Sequence, residues 1–392
     1  MNWRGIVYLG SRYLSRNRGK TALLVIAFTL VWLLPAAIAL VVGKVEEQLR
    51  SRAVGTPLLL GHPGSPLELV FNGLYFTKPE IATMPLSTVD TLADSDLAQA
   101  IPIYSRFSAG GNRIVGTRFD YFRYRNMEVV KGRNLIRLGE CVVGAKVAEQ
   151  AGLEPGDSVI SSPETLFDLA GVYPLKMHVV GVLAPTGSPD DSAIFVDLKT
   201  TWIIEGLGHG HQEATETDAN QRLESAEGTV SLNASVVEYN EITSETADSF
   251  HFHGDLSDYP VTAAIIIPND AKSRALVKGR YVSDNTVQLI SPGETMDELF
   301  ETVFSVQRFV IWLLAAVGAA TLAIGALVFL LSYRLRRDEF RHLRLLGADL
   351  GTIRALVAFE AAFVLATSLV LSALALWGVE SVAPVVIRSL IA

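Results

Sequence analysis

Charge and cysteine are both scarce in this chain of 392 residues. Charged residues make up 19% of the sequence and hydrophobic residues 49%, with a mean hydropathy of +0.33. An average soluble domain carries about 25% charged residues, so this composition argues against a disordered chain and against a purely soluble one. Cys141 is the one cysteine, which excludes an intramolecular disulfide and a cysteine-rich metal site. A formal net charge of -8 disfavours nucleic-acid binding.

The sequence also contains no GxxxxGK[ST] pattern. That glycine-rich loop cradles the nucleotide phosphates in a large class of ATPases, so its absence excludes a nucleotide site of this kind. The neighbouring carboxylates Asp190 and Asp191 fall within a turn rich in glycine and proline. We interpret them as loop residues rather than as a catalytic acid and base.

Three uncharged apolar runs are long enough to cross a membrane as helices. They cover residues 21–43, 309–333 and 361–379, and the third extends back to residue 355 if Glu360 lies near the membrane surface. A bilayer core needs about 20 apolar residues in helical form. A cleavable signal peptide, cut after Ala39, is the alternative for the first run, but the run is longer than a typical signal-peptide core. We predict that the first span is retained and that two later spans cover residues 309–333 and 355–379. A large region, residues 44–308, lies between the first and the second span.

The distribution of lysine and arginine predicts which segments face the cytoplasm. Five basic residues and no acidic one precede the first run, whereas six basic and three acidic residues lie within 334–354. The central residues 44–308 carry 21 basic and 36 acidic residues. Short segments rich in lysine and arginine stay on the cytoplasmic side. We therefore expect the N-terminus and residues 334–354 inside, and residues 44–308 and 380–392 outside.

Two further helices are predicted beside the spans. In residues 1–20, apolar side chains at helical spacing alternate with arginines, which predicts an amphipathic helix on the inner membrane surface. An unstructured basic leader is the alternative. Residues 45–50 are expected to extend the first span. Acidic residues then fill the first turns of a helical pattern at 295–308, a stalk that should continue into the second span.

The outward region 44–308 is predicted to be a mixed α/β domain, because short β-branched runs alternate with glycine and proline. A helix is expected over residues 145–152. The predicted strands cover residues 101–103, 113–116, 141–144, 158–161, 177–183, 193–196 and 263–267.

An acidic insert, residues 207–258, interrupts this pattern. Its residues 212–258 contain eleven acidic residues and one basic residue, Arg222, which predicts a long loop or hairpin. Four of the seven histidines form two His-x-His pairs at its ends, His209 with His211 and His251 with His253.

The order of the short motifs resembles that of the FtsX/MacB/LolC-like ABC transporter permeases. Residues 115–122 are similar to a VGTxPDYF stretch of the MacB-like outer domain, and residues 131–133 to its xGR. Residues 139–157 resemble ECVLGxxVAxxLGLxxGD, and residues 179–183 resemble VVGVL. Residues 337–348 resemble the RRxEIxxLRxLGA helix that follows the second span. Family members usually have a fourth span, whereas residues 380–392 are too short to supply one.

The resemblance implies a permease subunit of the bacterial inner membrane that is not itself an enzyme. A separate cytoplasmic ATPase dimer would hydrolyse ATP, and the permease would pair with a second copy or a homologous permease. A periplasmic adaptor or substrate-binding protein is a further expected partner, beside membrane lipid. A basic anchor without a docking role is the alternative for the helix over 337–348. The residues that would contact the ATPase are Arg337, Glu339, Phe340, Leu343, Leu345, Leu346, Gly347 and Ala348.

The two histidine pairs predict a metal site if the ends of the insert meet. In a strand, both imidazoles of a His-x-His pair point to the same face, and four nitrogen donors suit tetrahedral zinc. Copper and nickel also accept imidazole, and Glu213 or Asp255 would act as a carboxylate ligand or orient the rings. Solvated polar residues, or a contact with a protein partner, are the alternatives.

Two functions remain open at this point. One is transport of an envelope substrate, or of a metal, driven by ATP. The other is mechanotransmission of the FtsX type, in which the chain moves no substrate and drives an outer partner instead. The large outer domain favours transport, because FtsX-type outer domains are smaller.

Overall fold

The computed structural model describes residues 3–78, 80–162, 174–210, 222–224, 230–232, 240–243, 245–282 and 284–391. The chain divides into two compact units. The helical unit comprises Met1–Glu47 and Leu299–Leu390, and the α/β unit comprises Gln48–Glu298. The helices of the described residues are α1 (Trp3–Arg16), α2 (Arg18–Val54), α3 (Pro66–Tyr75), α4 (Leu86–Ala93), α5 (Phe119–Tyr124), α6 (Ala145–Ala151), α7 (Leu198–Ile204), α8 (Ala271–Tyr281), α9 (Pro292–Leu335), α10 (Arg337–Leu345) and α11 (Leu350–Ile391).

Each predicted span lies within a long helix. Among the described residues, three helical stretches are long and apolar enough to cross a membrane, Arg18–Val54, Pro292–Leu335 and Leu350–Val382. The predicted polar extension of the first span is present and reaches Val54, and the predicted stalk is the first part of α9, which continues to Leu335 without a break. Residues 380–391 continue α11 and do not form a separate tail.

Helix α1 packs inside the helical unit through one face. Ile6 is buried in a cluster with Phe340, Ile353 and Leu356. The Arg336 guanidinium lies 3.6 Å from the centre of the Tyr13 ring, and its Nη1 donates to Glu360 Oε1 at 2.7 Å. Residues 3–16 are thus an amphipathic helix, as predicted, with an apolar face that contacts α10 and α11.

The α/β unit is built on one large mixed sheet. Its strand order is β17-β1-β16-β3-β5-β10-β7-β9-β6, with β4 beside β5 and β8 beside β9. The pairs β5/β10 and β7/β9 are parallel, and the other pairs are antiparallel. The strands are β1 (Leu58–Gly61), β2 (Met84–Pro85), β3 (Ala98–Tyr104), β4 (Ser108–Ala109), β5 (Asn112–Thr117), β6 (Val129–Gly132), β7 (Glu140–Val143), β8 (Ser158–Ile160), β9 (Lys176–Leu183), β10 (Ala193–Asp197), β11 (Gly208–Gly210), β12 (Arg222–Glu224), β13 (Val230–Leu232), β14 (Phe250–Phe252), β15 (Pro260–Val261), β16 (Ala263–Pro268) and β17 (Gln288–Ile290).

Both faces of the central strands are buried. The consecutive residues Ile114 and Val115 of β5 are 0% exposed, and so are Leu58 and Leu59 of β1. Successive strand residues point to opposite faces, so helices and loops must cover the sheet on each side. The predicted strands are confirmed as β3, β5, β7, β8, β9, β10 and β16, and the predicted helix over 145–152 as α6.

A short β-ladder joins the two ends of the acidic insert. Strands β11 and β14, on its two sides, pair antiparallel, and β12 pairs with β13 further along the insert. The ladder β11/β14 therefore brings the two ends of the insert together, as the metal hypothesis requires.

Candidate functional site

The β11/β14 ladder has one aromatic face and one histidine face. His209 lies directly opposite His251, while Gly208 faces Phe252 and Gly210 faces Phe250. A Cβ atom on Gly208 would lie 2.6 Å from the Phe252 ring, and one on Gly210 would lie 2.6 Å from the Phe250 ring. The two glycines thus leave room for aromatic rings on one face, and the histidines point to the other.

The aromatic face packs onto the core of the α/β unit. Phe252 lies in edge contact with Trp202 and Tyr259, whose centroids are 6.5 Å and 6.0 Å away. The Tyr259 hydroxyl donates to the carbonyl oxygens of His253 at 2.8 Å and of Leu207 at 3.1 Å. Because Tyr259 is buried, these contacts hold the backbone on both sides of the ladder.

Three histidines meet on the opposite face. The ring centroids of His209 and His251 are 4.8 Å apart, those of His251 and His253 are 4.8 Å apart, and those of His209 and His253 are 5.1 Å apart. One nitrogen from each ring lies within 4.8 Å of the others. His209 and His251 are half-buried and His253 is exposed, so the cluster faces solvent.

The remaining predicted ligands fall into two groups. His211 and Glu213 lie outside the described residues. Asp255 is described but lies apart from the three-histidine group. Its Oδ1 accepts from Ser257 N at 2.9 Å and caps the 3-10 turn Leu256–Asp258, and that backbone hydrogen bond lowers the pKa of the Asp255 carboxyl.

The second candidate surface is the end of α10 in the helical unit. The amides of Gly347 and Ala348 donate to the carbonyl oxygens of Arg344 and Leu343, both at 3.0 Å. This is the Schellman arrangement of a helix C-terminus, and it needs a residue in the left-handed region. Gly347 supplies it with a φ of 96°. The helix therefore ends at Leu345, three residues before the end of the predicted segment 337–348.

The structure divides the predicted contact residues into exposed and buried ones. Leu345 and Leu346 are 79% and 85% exposed. Phe340 is buried against α1 and α11, and Leu343 is half-buried beside it. The ring of Phe340 is thus used for packing within the helical unit, and its docking role stays a prediction. Arg337, Glu339 and Gly347 are exposed, and Ala348 is half-buried.

A buried ion pair in the α/β unit was missed by the sequence analysis. Arg52, near the end of α2, donates from Nη1 to Asp190 Oδ2 at 2.7 Å and from Nη2 to Asp190 Oδ1 at 2.9 Å. The Tyr121 hydroxyl donates to the same Oδ1 at 2.7 Å. Asp190 lies in the turn Pro189–Ser192, as interpreted, but its side chain is only 3% exposed and that of Arg52 6% exposed. Asp191 fits that interpretation, because it accepts from the backbone amides of Thr186 and Gly187.

The charge of Asp190 depends on this pair. Burial on its own would raise the pKa of the Asp190 carboxyl, but the charge of Arg52 and the hydrogen bonds from Arg52 and Tyr121 outweigh it. The net result is a pKa below the ordinary value, so the carboxylate is ionised in the folded protein.

The same region joins the end of α2 to the start of α9. Arg50 Nη2 lies 3.0 Å from Asp297 Oδ1. The Tyr124 hydroxyl donates to Gly55 O at 2.7 Å, and Arg125 Nη2 donates to Thr56 Oγ1 at 3.0 Å. Within the α/β unit, the last turns of α2 are therefore fixed by hydrogen bonds and ion pairs to neighbouring elements.

Comparison with known proteins gives one family. The family model described as the MacB-like periplasmic core domain matches residues 23–298. The periplasmic region of MacB from Actinobacillus actinomycetemcomitans is similar at 14% identity and a TM-score of 0.36, over 66% of this chain and 98% of that one. The extracellular domain of the noncanonic ABC-type transporter YknZ from Gram-positive bacteria is similar at 14% identity and a TM-score of 0.32, over 59% and 98%. No curated protein matches the chain.

Proposed function

Because the chain belongs to the family with a MacB-like periplasmic core domain and is an ABC transporter permease of the MacB/FtsX type, we propose that it couples ATP hydrolysis by a separate subunit to movement of its α/β unit. The observation that carries this proposal is the exposed pair Leu345 and Leu346 at the end of α10. The family implies an ATPase partner in general terms. In this proposal, that partner binds at the exposed pair.

The end of α10 has the properties of a small docking surface. Two large apolar side chains are adjacent and exposed, and the basic residues Arg341 and Arg344 beside them are exposed as well. An apolar anchor with a charged rim is typical of protein contact sites. Two leucines beside two arginines would complement an apolar groove bordered by acidic residues on the ATPase. The tight Schellman turn at Gly347 holds the pair in place.

Transmission to the α/β unit would use the two long helices that enter it. The last turns of α2 are fixed by the ion pair of Arg52 with Asp190, and Arg50 contacts Asp297 at the start of α9. A displacement of α2 would therefore be passed to the turn that carries Asp190 and, through it, to β10, which follows directly. A second permease copy, or a homologous permease, is expected beside this chain, with a periplasmic adaptor or substrate-binding protein as a further partner.

Transport is the first candidate and mechanotransmission the second. The match over 23–298 supports a large MacB-like outer domain, and the family resemblance associates such domains with export or extraction of envelope substrates. In the alternative, the same movement drives an outer partner and no substrate is moved. A zinc link to either activity would act through the three-histidine cluster.

Coupling to a cytoplasmic ATPase requires the α/β unit outside and α10 inside, and single cysteines test this arrangement. The native Cys141 is buried, and burial raises the pKa of its thiol to about 12, so it gives little background. We expect Ser158→Cys, at an exposed position on β8, to react with an impermeant maleimide in intact cells. Arg341→Cys, exposed on α10, should react only after lysis. Labelling of Arg341→Cys in intact cells would refute the orientation and, with it, ATPase docking at α10.

A further inference from the structure

We propose that His209, His251 and His253 form a zinc site on the α/β unit, to which they contribute three imidazole ligands. The site goes beyond the permease function, because neither the family nor ATPase coupling requires a metal.

The ladder fixes the directions of the ligands before any metal binds. Directly opposed residues of an antiparallel pair share a face, which places His209 beside His251. His253 follows two residues after His251, and the centroid distances put all three rings together. Packing of Phe250 and Phe252 against the core holds the ladder so that its other face points away from the core.

A hydrogen bond sets the tautomer of one ligand. His251 Nδ1 lies 3.0 Å from the carbonyl oxygen of Ser249. A carbonyl only accepts, so Nδ1 carries the proton and the lone pair of the neutral ring is on Nε2. Metal-bound histidines commonly donate a hydrogen bond from the N–H of their second ring nitrogen to a carbonyl oxygen. Such a bond orients the ring and raises the basicity of the ligating nitrogen.

The spacing of the nitrogens is close to that of a bound ion. With zinc–nitrogen bonds of about 2.0–2.1 Å in tetrahedral geometry, two ligating nitrogens lie about 3.4 Å apart. The nitrogens of the cluster lie within 4.8 Å of one another. Zinc binding would therefore have to draw the nitrogens closer together, which the exposed position of His253 permits.

The donor set selects the class of ion. Calcium and magnesium require oxygen ligands, whereas the described cluster holds three nitrogens and no carboxylate. Three neutral imidazoles suit zinc, which binds histidine nitrogens in tetrahedral geometry. Bound zinc would also cross-link β11 to β14, and so fix the two ends of the insert to each other.

Zinc titration of the full-length protein in nanodiscs, after removal of metal with a chelator, tests the site. We expect one zinc per chain with a dissociation constant below about 10 µM, and no binding of calcium or magnesium at the same concentrations. Each of His209→Ala, His251→Ala and His253→Ala should weaken zinc binding at least about tenfold, and the triple variant should abolish it. His62→Ala, at an exposed position elsewhere in the α/β unit, is the matched control and should bind like the original protein.

Several results would overturn the proposal. The zinc site would be refuted if the wild-type protein bound zinc more weakly than about 10 µM, or if the triple variant bound zinc equally well. If the three single variants melt at the wild-type temperature in the absence of metal, their weaker zinc binding comes from the loss of a ligand and not from the loss of the fold. Loss of zinc binding in His211→Ala, with no loss in the three other single variants, would contradict the assignment of His209, His251 and His253 as the ligands. If ATP hydrolysis remains coupled to the permease but zinc does not bind, the zinc site is refuted and the permease proposal still stands.

Discussion

Replacing Leu345 and Leu346 together by aspartate is expected to abolish ATP hydrolysis coupled to this permease. The two side chains are 79% and 85% exposed, and each would bury its surface in the ATPase. Full burial of one leucine is worth about 1.5–3 kcal/mol, so the pair contributes roughly 3–6 kcal/mol. Its loss weakens binding by a factor of about 100 or more, and buried aspartates add a further cost. The measurement is ATP hydrolysis by the ATPase in nanodiscs with each permease variant.

The control for this double variant is the same substitution at an exposed leucine of the α/β unit. Leu276→Asp, on α8, replaces a side chain that is 49% exposed and should leave ATP hydrolysis unchanged. Gly347→Pro should reproduce the loss, because its φ of 96° is incompatible with proline. Wild-type hydrolysis in the Leu345 and Leu346 double variant, inserted normally in the membrane, would exclude the end of α10 as the docking site.

Replacing Asp190 by asparagine is expected to destabilise the α/β unit by about 3–5 kcal/mol, because it leaves the buried Arg52 guanidinium without its counter-charge. For a unit of this size that corresponds to a fall in melting temperature of roughly 6–20 °C. Asp120→Asn is the matched control. Asp120 forms a looser, exposed ion pair with Arg123 at 3.8 Å, so its loss should cost less than about 1 kcal/mol.

A double replacement tells a lost charge pair from a general packing defect. Arg52→Met with Asp190→Leu removes both charges and keeps apolar volume, so it should recover at least half of the stability that Asp190→Asn loses. Because the folded-state pKa of Asp190 is lowered, its contribution is complete above the ordinary value of about 3.9 and is lost as the pH falls through the lower folded-state value. Equal melting temperatures for Asp190→Asn and Asp120→Asn at neutral pH would contradict this anchor.

The parts of the fold that depend on residues close together in the sequence were predictable. Long continuous apolar runs are expected to form helices in a membrane, because a helix satisfies every backbone hydrogen bond within the run itself. Short β-branched runs between glycines marked strands such as β9 and β10, and the alternation of His251 and His253 placed two rings on one face. Strand β1 was missed because its run of leucines does not alternate, which is typical of a strand buried on both faces.

The contacts between distant residues were not predictable. Arg52 and Asp190 are separated by 138 residues, and the turn that contains Asp190 has the composition of an exposed loop. At α10, the spacing of Phe340 and Leu343 indicates one apolar face, but not which partner covers it. The structure assigns that face to α1 and leaves the following residues, Leu345 and Leu346, exposed. In this structure Phe340 therefore makes an intramolecular contact, which its spacing alone did not predict.

The most direct test of the central claim, that ATP hydrolysis moves the α/β unit, is hydrogen exchange in the complete permease–ATPase complex with and without ATP and vanadate. The account predicts that exchange changes with nucleotide in the end of α2 and the start of α9, around Arg52 and Asp297, and stays constant in β10. Aspartate at positions 345 and 346 should remove the nucleotide effect. Identical exchange in both nucleotide states across residues 48–298 would contradict the account, because the α/β unit would then not respond to ATP.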